Sequence, residues 1–175
     1  MIPFYKRVAV AKNIFKEIKN RGVPAEIERL LIDLKNFIIE ADTERTLTGM
    51  SEICAECGRQ GKACCGKGVE FKYSKELLLI NLLLGVEILE HHQINEMCYF
   101  LTDRGCSLIA RDVFCINFIC DRIKENILHE RLKRLRELEG RQINLQFRIE
   151  QILKNFSSSI TNTFYLNNAV FDSCI

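Results

Sequence analysis

Eight of the nine cysteines fall between Cys54 and Cys120, and this clustering constrains the chain more than any other feature. They run Cys54-Ala-Glu-Cys57, Cys64-Cys65, Cys98, Cys106, Cys115 and Cys120. A CxxC spacing lets two sulfurs converge on one ion while nearby backbone N–H groups hydrogen-bond the thiolates. The full set supplies soft ligands for two four-cysteine sites, or for one cluster plus spare thiols. Neighbouring side chains in an extended backbone project to opposite sides, so Cys64 and Cys65 are awkward ligands for a single ion. Either they reach different metals, or one binds while the other packs or reacts. Gly61, Gly66 and Gly68 suit backbone folded tightly around sulfur, where positive φ is often required. A free cysteine is also a small hydrophobe that is commonly buried. For Cys115 and Cys120, which border an apolar helix start, core packing is as good an account as ligation. Cys174, next to the C-terminal residue, reads as a spare thiol.

The chain has 175 residues, 47% hydrophobic and 27% charged, which is ordinary globular composition and enough for one domain with a hydrophobic core. A formal charge of +2 argues against a dominant nucleic-acid surface, and no nucleic-acid partner is expected. Eight thiolates around two divalent ions would take that charge to about −2. No apolar run of signal-peptide length follows Met1, so a cytoplasmic location is expected, where clustered cysteines serve metal binding or redox chemistry more often than disulfides. The most apolar stretch, Leu77–Leu84, contains Asn81 and stops at Gly85. It falls well short of the roughly 20 residues that span a bilayer, so it predicts a core helix and no membrane association.

Around the cysteines the pattern is helical, and the predicted fold class is mainly α: a helical bundle around a central cysteine-rich metal-binding loop region, with at most short strands. Phe4, Val8, Ala11, Phe15 and Ile18 line one helix face, and Gly22-Val23-Pro24 ends that helix. Ile27, Leu30, Leu31, Leu34, Phe37, Ile38 and Ala41 form a second stripe, so residues 1–48 predict an antiparallel helical hairpin. From Gly49 to Gly68 no helix or strand face can be drawn, which predicts a ligand-bearing loop within a cysteine-cluster region over 49–120. Val69, Phe71 and Tyr73 predict a short extended segment, Ser74 caps a helix to Leu84, and a further helical segment is expected over Val86–Met97. Asp103-Arg104-Gly105 reads as a turn. From Ile116 to Phe156 apolar positions recur about every 3.6 residues, the C-terminal helical segment assigned to 121–156, with Gly140 as a kink or break. This stripe either packs against the N-terminal hairpin, the simpler account, or offers a coiled-coil surface for a protein partner or self-association. Arg131, Lys133, Arg134 and Arg136 alternate with Glu130, Glu137 and Glu139, which reads as a solvated face. Residues 157–175 form a polar tail that lies across the core or frays.

The order Cys54-x-x-Cys57, Cys64-Cys65, Cys98-Tyr-Phe-Leu, Gly105-Cys106-Ser107-Leu108, Arg111 and Cys115 resembles the YkgJ-type cysteine-cluster proteins, a zinc- or iron-chelating family named for its CxxCxxCC motif. The resemblance covers roughly residues 54–120. Six residues separate Cys57 from Cys64 where the family name implies two, and Asp112 stands where a proline usually follows the arginine. The resemblance implies thiolate-bound zinc or an iron–sulfur cluster. Some flagellin lysine methylases carry a similar cysteine pattern, which adds an enzymatic reading.

Three functions follow. The first is a metal-binding module in which Cys54, Cys57, Cys64, Cys65, Cys98, Cys106, Cys115 and Cys120 hold zinc or an iron–sulfur cluster. The second is an iron–sulfur redox or transferase enzyme, protein-methylase-like, although the chain has no glycine-rich cofactor loop and no ferredoxin run. The third is a zinc-stabilised adaptor that binds a protein through its C-terminal helices. Glu52, Glu56 and Glu70 read as carboxylates of polar loops rather than as general bases. His91 and His92 read as a solvent-facing pair, and Arg111 either balances thiolate charge or is a surface arginine.

Overall fold

The computed structural model describes residues 3–169, with side chains as far as residue 156. The structure is mainly helical, with seven α-helices and one two-stranded sheet among the described residues. Helix α1 (Phe4–Arg21) stops at Gly22, whose φ of 84° lies where a side chain would be strained. Pro24, with its fixed φ, opens α2 (Ala25–Leu47), and Glu26 and Glu28 complement the positive end of that helix. Most of the predicted apolar faces are buried, Phe4, Val8, Ala11 and Ile18 on α1 and Ile27, Leu30, Leu31, Leu34, Ile38 and Ala41 on α2, while Phe15 and Phe37 are only half-buried and Ile14 joins the α1 face. Their principal partners lie elsewhere in the chain, since α1 packs chiefly on α4 and α2 chiefly on α7.

Helix α4 (Lys75–Leu83) begins where Ser74 predicts it, the hydroxyl accepting a hydrogen bond from the Leu77 N–H at 3.0 Å. Leu77 to Asn81 are all buried, so this short helix is the centre of the main core. A tight antiparallel hairpin, β1 (Leu101–Thr102) and β2 (Gly105–Cys106), is closed by Asp103-Arg104 as the sequence indicates.

Several expectations need correction. The expected loop over Gly49–Gly68 contains a helix, α3 (Met50–Arg59). The expected extended segment at Val69–Tyr73 is a 3-10 turn over Val69–Lys72. Val86–Met97 forms no helix, only turns and bends. The C-terminal periodicity is divided into α5 (Val113–Asn117), α6 (Asp121–Asn126) and α7 (His129–Ala169), with extended backbone at Phe118 and Ile127. A continuous helix would set Cys115 and Cys120 about 140° apart around its axis. The break after Asn117 instead allows both to face one place. Gly140 causes no interruption in α7. The helix continues beyond Phe156 to Ala169, and residues 170–175, with Cys174, lie outside the described residues. Leu135, Leu138, Gln142, Gln146, Ile149 and Leu153 form its buried stripe. No helix among the described residues is long and apolar enough to cross a membrane.

Candidate functional site

Every described cysteine lines a single cavity of about 110 Å³. The eight come from separate segments: Cys54 and Cys57 from α3, Cys64 and Cys65 from the turn after it, and Cys98 from just before β1. Cys106 lies on β2, Cys115 on α5, and Cys120 is the residue that caps α6. All eight are free thiols. Cys54 and Cys57, three residues apart on a helix, share one face because successive side chains rotate by about 100°. The other wall of the cavity includes Met50, Ile53, Phe114 and Phe118, with Arg45, Arg111 and Glu139 as its charged members.

The backbone around the site is closely specified. Gly58 lets α3 approach the hairpin, because a Cβ there would stand 2.9 Å from the Thr102 carbonyl oxygen. The Cys98 N–H donates to the Cys65 carbonyl at 2.9 Å, and Gly66 pairs with Met97 beside it. Asn81, wholly buried, holds the segment that follows Cys106. Its Nδ2 donates to the carbonyls of Leu77 (2.9 Å) and Ala110 (2.8 Å), and its Oδ1 accepts from the N–H groups of Ile109 (3.2 Å) and Ala110 (3.1 Å). In the sequence Asn81 is only an interruption of an apolar run; the signal was its position within a stretch otherwise destined for the core.

Burial dominates the thiol chemistry. It pushes Cys64 and Cys115 up to about 11 and Cys98 up to about 12, and raises Cys65, Cys54 and Cys106 as well. Neighbouring cysteines raise most of them further, since a second thiolate nearby is a like charge. Cys106 shows appreciable surface, yet protein crowds its sulfur enough to desolvate it; the surface it shows belongs to the cavity wall. The Tyr73 hydroxyl donates to Cys115 Sγ at 3.7 Å, and Arg122 Nη1 donates to Cys57 Sγ at 3.7 Å.

Charged residues form a second layer. Arg45 donates to Glu139 at 2.8 Å and also pairs with Asp42, and Arg136 reaches Glu139 at 2.8 Å. Glu139, expected on a solvated face, is buried, as is Arg45. Arg111 donates to Asp42 at 2.8 Å, while its buried Nε has no partner among the described residues. Burial works against the Arg111 charge, but Cys106 and Asp42 outweigh it and hold the guanidinium protonated. Of the three carboxylates near the cysteines, Glu52 pairs with Arg59 and Glu56 with Arg122, both exposed. Glu70 is different: it is fully buried, one oxygen accepts from the Gly68 N–H at 2.9 Å, and the other has no described partner. His91 and His92 do not line the cavity; His92 Nδ1 donates to the Met97 carbonyl and its ring packs edge-on against Tyr99.

The donor set fits a thiolate-bound metal in number and in softness. As the side chains stand, no three His, Cys, Asp or Glu donors among the described residues come within joint reach of one ion. The thiols nonetheless all line the one cavity. No family model, no curated protein and no solved structure matches this chain.

Proposed function

We propose that this chain is a metal-binding cysteine-cluster protein of the YkgJ type, holding zinc or an iron–sulfur cluster through Cys54, Cys57, Cys64, Cys65, Cys98, Cys106, Cys115 and Cys120. One observation carries the reading: eight cysteines from well-separated parts of the chain line the same cavity. Desolvated thiols such as Cys65, Cys98 and Cys115 resist ionisation alone, and a bound cation supplies the charge that makes thiolates stable there. The group would join α3, the hairpin, α5 and α6, all short elements. In small domains structural zinc contributes on the order of 10 kcal/mol to folding. Free thiols in this number also fit a cytoplasmic setting.

The test is anaerobic purification without added metal, followed by elemental analysis, acid-labile sulfide and a visible spectrum. Zinc without colour identifies a structural module; iron with matching sulfide identifies a cluster. Cys54→Ser and Cys57→Ser should each lower metal content and thermal stability, and full metal retention in both would remove α3 from the site. A second reading, an iron–sulfur redox or transferase enzyme, draws on the apolar wall of Phe114, Phe118, Met50 and Ile53, which could face a substrate beside the cluster. Its sign would be turnover that depends on iron and sulfide. The adaptor reading, with a protein partner or self-association on the C-terminal helices, would show as association lost on mutation of exposed α7 positions such as Phe147.

A further inference from the structure

We propose that the cavity holds two separate four-thiolate centres: an outer one of Cys54, Cys57, Cys64 and Cys120, and an inner one of Cys65, Cys98, Cys106 and Cys115. The Cys64–Cys65 peptide is the partition between them. The inference rests on the metal-binding reading above and assigns its ligands.

The hydrophobic packing divides the thiols in this way. Cys98 belongs to the main core, and Cys65 and Cys115 pack against it. Cys120 packs instead on a small second core of Met50, Ile119, Ile123 and Leu135, which Ile53 also joins from α3. Ile53 is the neighbour of Cys54, so α3 brings Cys54 and Cys57 to the side of the cavity where Cys120 sits.

Local geometry places the remaining members. Cys65 is bound to the inner side by the hydrogen bond from Cys98 N–H to its carbonyl and by the Gly66–Met97 bridge. Cys106 stands opposite Leu101, whose N–H donates to the Cys98 carbonyl, so Cys98 and Cys106 flank one hairpin end. The chain arrives at Cys64 from α3, with Lys62 N–H donating to the Cys57 carbonyl, and Cys120 is the neighbouring cysteine that most raises the Cys64 thiol. The electrostatic influences agree. Cys65 feels Cys106, Cys115 and Cys98 most strongly, whereas Cys54 feels Cys120 and Cys57, and Cys64 feels Cys120 and Cys54. Cys54, from the other side of the partition, acts on Cys65 less than Cys106, Cys115 and Cys98 do.

Each centre takes one divalent ion as four thiols lose their protons to the buffer, with no change of oxidation state. The experiment is anaerobic titration of the reduced, metal-free full chain with cadmium, read by cadmium–thiolate absorption, proton release and ¹¹³Cd NMR. Two equivalents and two resonances are expected. Cys64→Ser and Cys120→Ser should each disturb the same resonance, and the double variant should lose no more than one ion. Cys65→Ser and Cys106→Ser should disturb the other, and Cys64→Ser with Cys106→Ser should cost both. Circular dichroism checks the fold of each variant, and Cys106→Ser, on the short hairpin, stands for the inner centre if Cys65→Ser does not fold. A single bound ion, or one resonance disturbed jointly by Cys64→Ser and Cys106→Ser, overturns the partition while leaving metal binding intact. No cadmium bound by the unmutated chain overturns the metal reading itself.

Discussion

Replacing Asn81 by alanine should cost this protein about 2–6 kcal/mol, a range set by the two buried backbone groups it orphans. The Ala110 N–H and C=O are both satisfied by Asn81, at 3.1 and 2.8 Å, and Ala110 is wholly buried. Each such group left unpaired costs about 1–3 kcal/mol. Ile109 adds little, because it is only partly buried and water can replace the 3.2 Å bond to its N–H. The Leu77 carbonyl loses nothing essential, since it keeps its helical partner within α4. Equilibrium urea unfolding of the metal-free chain under reductant, followed by circular dichroism, measures the difference, provided the slopes of the two transitions agree. Asn81→Leu separates the causes: it refills the volume but leaves the same groups unpaired, so it should be no more stable than Asn81→Ala. The segment from Ser107 to Arg111 should loosen in both, which would appear as faster reaction of Cys106 with a thiol reagent. A loss below about 1 kcal/mol for the alanine variant, or recovery of stability with leucine, would refute the hydrogen-bond account.

Gly58→Ala should destabilise by about 1–3 kcal/mol, because its Cβ meets the Thr102 carbonyl rather than a side chain that can move aside. Gly140→Ala is the control, with nothing within 4 Å of its Cβ inside α7, and should gain roughly 0.5–1 kcal/mol in the same unfolding assay. Glu139→Gln should cost about 3–5 kcal/mol by leaving buried Arg45 short of its 2.8 Å counter-ion, towards the lower figure because Asp42 remains. The metal-free protein should lose stability as pH rises above about 9, the ordinary thiol range, while Cys64, Cys98 and Cys115 stay protonated in the fold. The sign follows from linkage: there the unfolded chain has shed thiol protons that the native chain still holds, so rising pH favours unfolding. Urea midpoints collected on either side of pH 9 check it.

The helices with solvent on one side were legible in the sequence because burial is periodic there: α1, α2 and the Leu135–Leu153 stripe of α7 follow from spacing, while α4, buried on every side, was marked by its apolar run and the Ser74 cap. Helix α3 was not. Its buried residues, Met50, Ala55 and Gly58, make no aliphatic stripe, and the cysteines it turns to the cavity, Cys54 and Cys57, do not register as an apolar face. The break between Asn117 and Cys120 was equally hidden, since Ile116, Ile119 and Ile123 keep helical spacing while the backbone between them extends. At the site, the eight cysteines could be named without a structure because residue type alone marks a soft donor. Arg45, Glu70, Glu139 and Asn81 could not, as each is a polar residue whose burial is created by distant segments.

The charges around the cavity bear on how its thiols can exist. Arg45 and Arg111 line it, but Arg45 is paired with Glu139 and Asp42, and Arg111 with the same Asp42. Arg122, beside Cys57, is likewise paired with Glu56. The arginines near the thiols are thus largely spoken for by carboxylates and leave little positive charge to balance even one four-thiolate set. A protein that used these cysteines as free nucleophiles would need the opposite arrangement, with an uncompensated cation lowering a thiol towards neutrality. Here burial and neighbouring thiols raise them instead. That electrostatic design suits two states: neutral thiols in the metal-free chain at Cys54, Cys64, Cys65, Cys98, Cys106 and Cys115, which burial raises, or thiolates whose charge is balanced by the ion they hold.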